Sequence, residues 1–180
     1  MRKALFILGI LNDEDIDWMI AAGNREEIPA GTVLIYERQP IEAMYIVLDG
    51  AFLVTVEALE NQEVARLLDG EVVGEMSFVD SRPPSATVKA IRNSLVLSIP
   101  REQIAAKLEA DVHFAARFYR ALSVFLADRL RSTTSRLGYQ GHEPLQEDVE
   151  YEDEIDPDVL DNVSLAGARF DWMLRRLRSA

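Results

Sequence analysis

Few residues in this chain could carry catalysis. It has no cysteine and only two histidines in 180 residues. Without thiols there is no disulfide, no zinc–cysteine site and no thiol nucleophile. His113 falls at a helix start and His142 in an acidic stretch. Neither lies on a strand beside carboxylates, as the metal centre of a β-roll enzyme requires. No serine–histidine–acid order and no phosphate loop stands out. The expectation is a protein that is not an enzyme and carries no metal or cofactor of its own. The most informative stretch lies elsewhere. The stretch "GEMSFVDSRPPSATV", residues 74–88, opens on Gly74 and Glu75 and runs through Met76, Ser77 and Arg82. After Pro83 and Pro84 it ends on the small residues Ser85, Ala86 and Thr87. The question it raises is what binds between the carboxylate at one end and the small segment at the other.

These residues need a scaffold, and the periodicity supplies one. Residues 13–23 read as a short helix, with Ile16, Met19 and Ile20 at helical spacing and Asp13 as its cap. The preceding "MRKALFILGIL" reads as a short amphipathic helix, because no small-residue cleavage site follows it. The pattern then changes. "GTVLIY", "AMYIVLDGAFLVTVEAL", "EVARLL" and "ATVKAIRNSLVLSI" are β-branched and apolar. They are punctuated by turns at Pro29-Ala30-Gly31, Asp49-Gly50, Asp69-Gly70 and Asn93-Ser94. Short, evenly spaced strands with many turns favour a sandwich or jelly roll. From Pro100 the helical period returns. "REQIAAKLEA" is one helix, and Asp111 caps a second that runs from Val112 to Arg136 and stops at Gly138.

That second helix would be roughly 40 Å long, more than a small roll covers. Its apolar positions include Ala115, Phe118, Leu122, Phe125, Leu126, Leu130 and Leu137. Part of this stripe needs another partner, and a second copy of the chain is the economical one. A homodimer through residues 112–137 is therefore expected.

Composition sets further limits. The formal charge is -12, which argues against bulk attraction to nucleic acid. No apolar run reaches the roughly 20 residues of a membrane helix, and the lack of cysteine suits a cytoplasmic protein. Between His142 and Asp161 there is no lysine or arginine and about ten acidic residues crowd together. Residues 140–163 therefore read as an acidic disordered linker between a domain of residues 1–139 and a short basic helix of residues 164–180. Phe170, Met173, Leu174 and Leu177 share one face of that helix, beside Arg169, Arg175, Arg176 and Arg178. The expectation is a docking helix on a flexible tether, engaging a protein partner or an anionic surface.

The order helix, β-roll, Gly-Glu turn, small-residue strand and two helices resembles the cyclic-nucleotide-binding domain family. Its carriers are "IPAGTVLIYERQP", "AMYIVLDGAFLVTV", "VVGEMSFVDSRPPSATVKA" and "LADRLRSTTSRLG", with Gly31, Gly50 and Gly74 at matching turns. The resemblance covers roughly residues 3–139. It implies a mainly β fold, a double-stranded jelly roll with flanking helices and a long C-terminal helix. It also implies a regulatory role, with cyclic AMP or cyclic GMP as ligand. Gly74 and Glu75 match the turn and the carboxylate that accepts from the ribose hydroxyl. Met76, Ser77 and Phe78 open a short helix whose first amides face the cyclic phosphate. Ser85, Ala86 and Thr87 match the small segment that follows. The family's phosphate-binding arginine falls on Pro84, which has neither charge nor N–H. Arg82, two positions earlier, is the nearest replacement. Thr133 and Thr134 match the helix positions that face the base, and Arg129 matches a partner for Glu75. The resemblance implies no DNA-binding domain, because only about 40 residues follow the long helix. The alternative is a roll that no longer binds nucleotide and serves as a dimeric adaptor.

Overall fold

A computed structural model of the protein describes residues 4–60, 62–80, 82–138 and 157–178. Two short helices open it, α1 (Ala4–Ile10) and α2 (Asp13–Ala22). Eight strands follow: β1 (Asn24–Ile28), β2 (Val33–Ile35), β3 (Ala43–Asp49), β4 (Ala51–Val56), β5 (Gln62–Leu68), β6 (Val72–Val73), β7 (Thr87–Ala90) and β8 (Ser94–Pro100). They form two antiparallel sheets of four, in the orders β1-β8-β3-β6 and β2-β7-β4-β5. This is the expected jelly roll. Asp49-Gly50 joins β3 to β4, and Gly50 takes a positive φ of 142°, a conformation that glycine alone adopts freely.

Alternation along the strands builds two cores. On β3 and β8, Met44, Ile46, Leu48, Leu97 and Ile99 point toward the helices. Val47 and Val96, one residue out of phase, point between the sheets with Ile35, Phe52, Val73 and Val88. A strand whose two faces are both covered reads as a continuous apolar run, which is why "AMYIVL" lacks alternation.

The helices close over the first sheet. The cap of α2 is Asn12 rather than the expected Asp13. The Asn12 carboxamide accepts from the Asp15 N–H at 2.8 Å, and Asp15 accepts from the Asn12 N–H at 3.0 Å. This reciprocal pair satisfies two donors that a helix start leaves open. Asp15 is buried, and it also takes a forked contact from Arg117 at 2.6 and 2.9 Å. Arg117 belongs to α4 (Val112–Gly138), which follows α3 (Arg101–Ala110). Asp111 caps α4 as expected, accepting from the Phe114 N–H at 2.9 Å and from Lys107 Nζ at 2.9 Å. The Phe114 amide and the lysine hold its carboxyl down at about 2.

On α4, Phe114, Phe118, Ala121, Leu122 and Phe125 enter the core of their own domain. Phe114 stacks on Phe118 with centroids 5.5 Å apart. Much of the stripe that the sequence assigns to a second copy is thus used internally. A neighbouring seam stays outside.

The C-terminal helix departs most from expectation. α5 runs Pro157–Arg178, so it begins before the expected residue 164. The rest of the expected linker, to residue 156, lies outside the described residues. Far from hanging on a tether, α5 lies against α1 and α2. Ala166, Phe170, Met173 and Leu177 join the same core as Ile7, Leu8 and Leu11. Arg169 donates to the carbonyls of Leu8 and Leu11 at 2.8 and 2.5 Å, capping the open C-terminal end of α1. It also meets Asp13 at 2.7 Å, and Arg176 meets Asp17 at 2.6 Å. The apolar face expected to capture a partner is taken by the chain itself.

Candidate functional site

The turn after β6 must reverse tightly, and Gly74 makes this feasible. Its φ is 88°, and a Cβ there would come within 2.6 Å of Ile41 Cδ1 and 2.9 Å of the Ala43 carbonyl. Any larger residue would be strained and obstructed. The chain then enters a single 3-10 turn, Glu75–Phe78. Ser77 donates its hydroxyl to the Gly74 carbonyl at 2.9 Å, bracing the turn. The turn therefore uses this hydroxyl itself. Met76 is half exposed at the rim.

Glu75 points inward, with its side chain 2% exposed. Arg129 Nη1 donates to its Oε1 at 2.6 Å. The Arg129 guanidinium also sits 5.1 Å above the Phe125 ring. Burial pushes the Glu75 carboxyl above its ordinary value; Arg129 and the backbone amides of residues 74 and 75 pull it back only in part. A buried acid held by one charged hydrogen bond is a strong acceptor with little water to compete for it.

The turn touches α4 a second time. Phe78 meets Phe118 edge to face at 5.9 Å, and Arg101 lies 5.5 Å over the Phe78 ring. Sequence reasoning named Arg129 and put Phe78 in the turn, but did not foresee its contact with Phe118. An aromatic three residues after a Gly-Glu pair gives no hint of which helix it will meet.

The far end of the motif is rearranged relative to expectation. Arg82 does not enter the site. Its side chain is 87% exposed and lies beside Asp80 at 3.6 Å, and its own N–H donates to Asp80 at 3.1 Å. Pro83 and Pro84 fix the backbone that follows, so the side chain leaves toward solvent. Ser85 is exposed, and Ala86 and Thr87 are half-buried. Thr87 accepts at its hydroxyl from the Glu37 N–H at 3.1 Å. The Pro84 carbonyl accepts from the Arg38 N–H at 2.8 Å. Thr133 and Thr134 fall on α4, and their side chains lie outside the described residues.

Glu37 and Arg38 are therefore neighbours of the motif that the sequence did not reveal. Arg38 has a φ of 62°. The sequence signal for that backbone is glycine, asparagine or aspartate, so an arginine conceals the turn.

The structure thus joins Gly74, Glu75, Ser77 and Arg129, and leaves Arg82 outside. It is an anchored acidic acceptor at the start of a tight turn, wired to a long helix. No group of acidic or histidine side chains able to hold a metal occurs among the described residues. Residues 25–111 match the model of the cyclic nucleotide-binding domain. These residues belong to the cyclic nucleotide-binding domain family.

Curated relatives agree with that membership. The chain is 29% identical over 143 residues to the cyclic AMP receptor protein of Thermus thermophilus, covering 78% of this chain and 64% of that protein. It is 27% identical over 130 residues to an uncharacterised NTE family protein of Mycobacterium tuberculosis, covering 72% of this chain and 22% of the relative. The chain therefore spans only about a fifth of that mycobacterial protein. Among solved structures, a cyclic nucleotide-binding domain from Methylobacillus flagellatus superposes with a TM-score of 0.69 at 20% identity, over 80% of this chain and 85% of that one. At that identity the likeness speaks for the fold. The domain family is regulatory in kind. No helix among the described residues is long and apolar enough to cross a membrane.

Proposed function

We propose that this chain is a regulatory module that senses a cyclic nucleotide such as cyclic AMP or cyclic GMP. The ligand sugar takes the Glu75 carboxylate, and its cyclic phosphate faces the first amides of the turn Glu75–Phe78. The observation that carries this reading is the inward Glu75, held at 2.6 Å by Arg129 of α4. A sugar hydroxyl arriving at Glu75 competes for the atom that Arg129 grips. Binding therefore alters the hold on α4, shifting an equilibrium between helix positions. The similarity to a cyclic AMP receptor protein supports the same reading.

Signalling through a dimer fits the outer face of α4. Ala116, Tyr119, Ser123 and Leu130 are exposed and Leu126 is half-buried, at alternating steps of three and four. Leu130 is 68% exposed and Tyr119 44%. That spacing is the seam of a two-stranded coiled coil, which supports a homodimer; a cytoplasmic setting is part of the same proposal. Leu130→Glu is expected to turn a sedimenting dimer into a monomer. An unchanged mass would count against this interface.

The experiment that tests the sensor also tests a second reading. Arg82 faces solvent and Pro84 carries no charge, so a roll that serves purely as a dimeric adaptor would look similar. Calorimetric titration with both nucleotides separates the two. Saturable heat that weakens about tenfold or more in Glu75→Ala, the loss of one charged hydrogen bond, supports the sensor. Neither heat nor a thermal shift with either nucleotide would leave the adaptor.

A further inference from the structure

We propose that Arg38, on the connection between β2 and β3, supplies the cation for the ligand phosphate that position 84 lacks. This rests on the cyclic-nucleotide reading above. Three observations place the residue. The Arg38 N–H donates to the Pro84 carbonyl at 2.8 Å, which fixes its backbone against the segment that follows the turn. The neighbouring Glu37 N–H donates to Thr87 at 3.1 Å, so the connection is stitched to both sides of Ser85 and Ala86.

The second observation is the backbone. Among the described residues, only Arg38 and Glu60 adopt a positive φ without being glycine. A glycine would make this turn without strain, so the turn itself gives no reason for an arginine. Side chains held in such conformations cluster at ligand clamps.

The third is the state of the guanidinium. It is 68% exposed, with Nη1 3.3 Å from Glu57 and Nη2 3.6 Å from Glu37. The Glu57 pair, exposed on both sides, is weak and screened; Glu37, whose side chain is only 9% exposed, stands farther off at 3.6 Å. The head can therefore leave Glu57 for an incoming anion. Its planar fork matches two oxygens of a phosphate, where an ammonium would meet them as a point charge. The rival cations are committed elsewhere. Arg129 grips Glu75, Arg101 lies over Phe78 on the helix side, and Arg82 is directed outward by the two prolines.

The test is calorimetric titration of the full chain with cyclic AMP at low salt. Arg38→Gly is expected to lose about tenfold or more in affinity, the usual cost of one charged contact. Its melting temperature should equal or exceed that of the wild type, because glycine relieves the left-handed backbone. Arg38→Asn, which tolerates the same backbone, should lose affinity equally. Adding Pro84→Arg to Arg38→Gly should restore binding, and Arg82→Ala should bind as the wild type does. If folded Arg38→Gly binds within about twofold of the wild type, the assignment is overturned while the sensor stands. If the wild type itself shows no saturable heat, the sensor reading fails and this one falls with it.

Discussion

Arg129→Ala is expected to cost about 3–5 kcal/mol of folding stability, far more than an ordinary surface change. The reason is its partner. Glu75 is buried, and Arg129 is the side-chain cation on its carboxylate at 2.6 Å. Removing the arginine strands a charge in a poorly solvated place. Urea unfolding of the single variant, and of Arg129→Ala with Glu75→Gln, checks this. The double variant should recover most of the loss, because a neutral amide is cheaper to bury than an unpaired carboxylate. The pH dependence gives a second check. The folded Glu75 carboxyl already lies above its ordinary value of 4.5, and loss of Arg129 raises it further. Between the unfolded and folded values the native state binds the extra proton, so stability falls as pH rises through that window. The variant should therefore be least impaired in mildly acidic buffer. A loss under about 1 kcal/mol, flat with pH, would mean that Glu75 is solvated.

Phe170→Ala should be comparably damaging, at about 3–5 kcal/mol for a large side chain removed from a packed core. Phe170 is 1% exposed and shares its cluster with Ile7, Leu8, Leu11 and Met19. For a chain of this size that translates to roughly 6–20 °C in melting temperature. Deleting residues 164–180 should do at least as much, since it also removes Arg169 from the end of α1. A free docking helix would behave differently, leaving the melting temperature of the roll almost unchanged. Differential scanning calorimetry of the point variant decides between them. An unaltered transition would return α5 to the tethered state that the sequence suggests.

The contrast shows where sequence reasoning reaches. Strands and turns were legible because local chemistry sets them: apolar runs break at Asp49-Gly50 and Asp69-Gly70, where Gly50 and Gly70 take positive φ. The caps were nearly legible. Asp111 was placed correctly, while Asn12 outcompeted Asp13 because its neighbour Asp15 completes a reciprocal pair. Glu75 and Arg129 could be paired only through the family resemblance, since 54 residues separate them in sequence. What failed were choices of partner and direction. The apolar face of α5 announces that it will be buried, yet nothing in Phe170, Met173 and Leu177 says whether α1 or another chain will bury it. Its fit depends on Arg169 meeting the last carbonyls of α1, a contact 161 residues apart in sequence. Arg82 looked like a substitute because it lies two positions before Pro84, where the resemblance places the family's arginine. The two prolines and Asp80 turn it outward. Arg38 escaped notice because its neighbourhood with Pro84 is a product of β2 and β7 pairing.

The most direct measurement is amide hydrogen exchange across the full chain, with and without saturating cyclic AMP. Residues 75–79 should become the most protected segment, with a smaller change on α4 around Arg129. Protection that appears elsewhere, with the Glu75 turn exchanging as before, would contradict the placement of the ligand and with it the sensor.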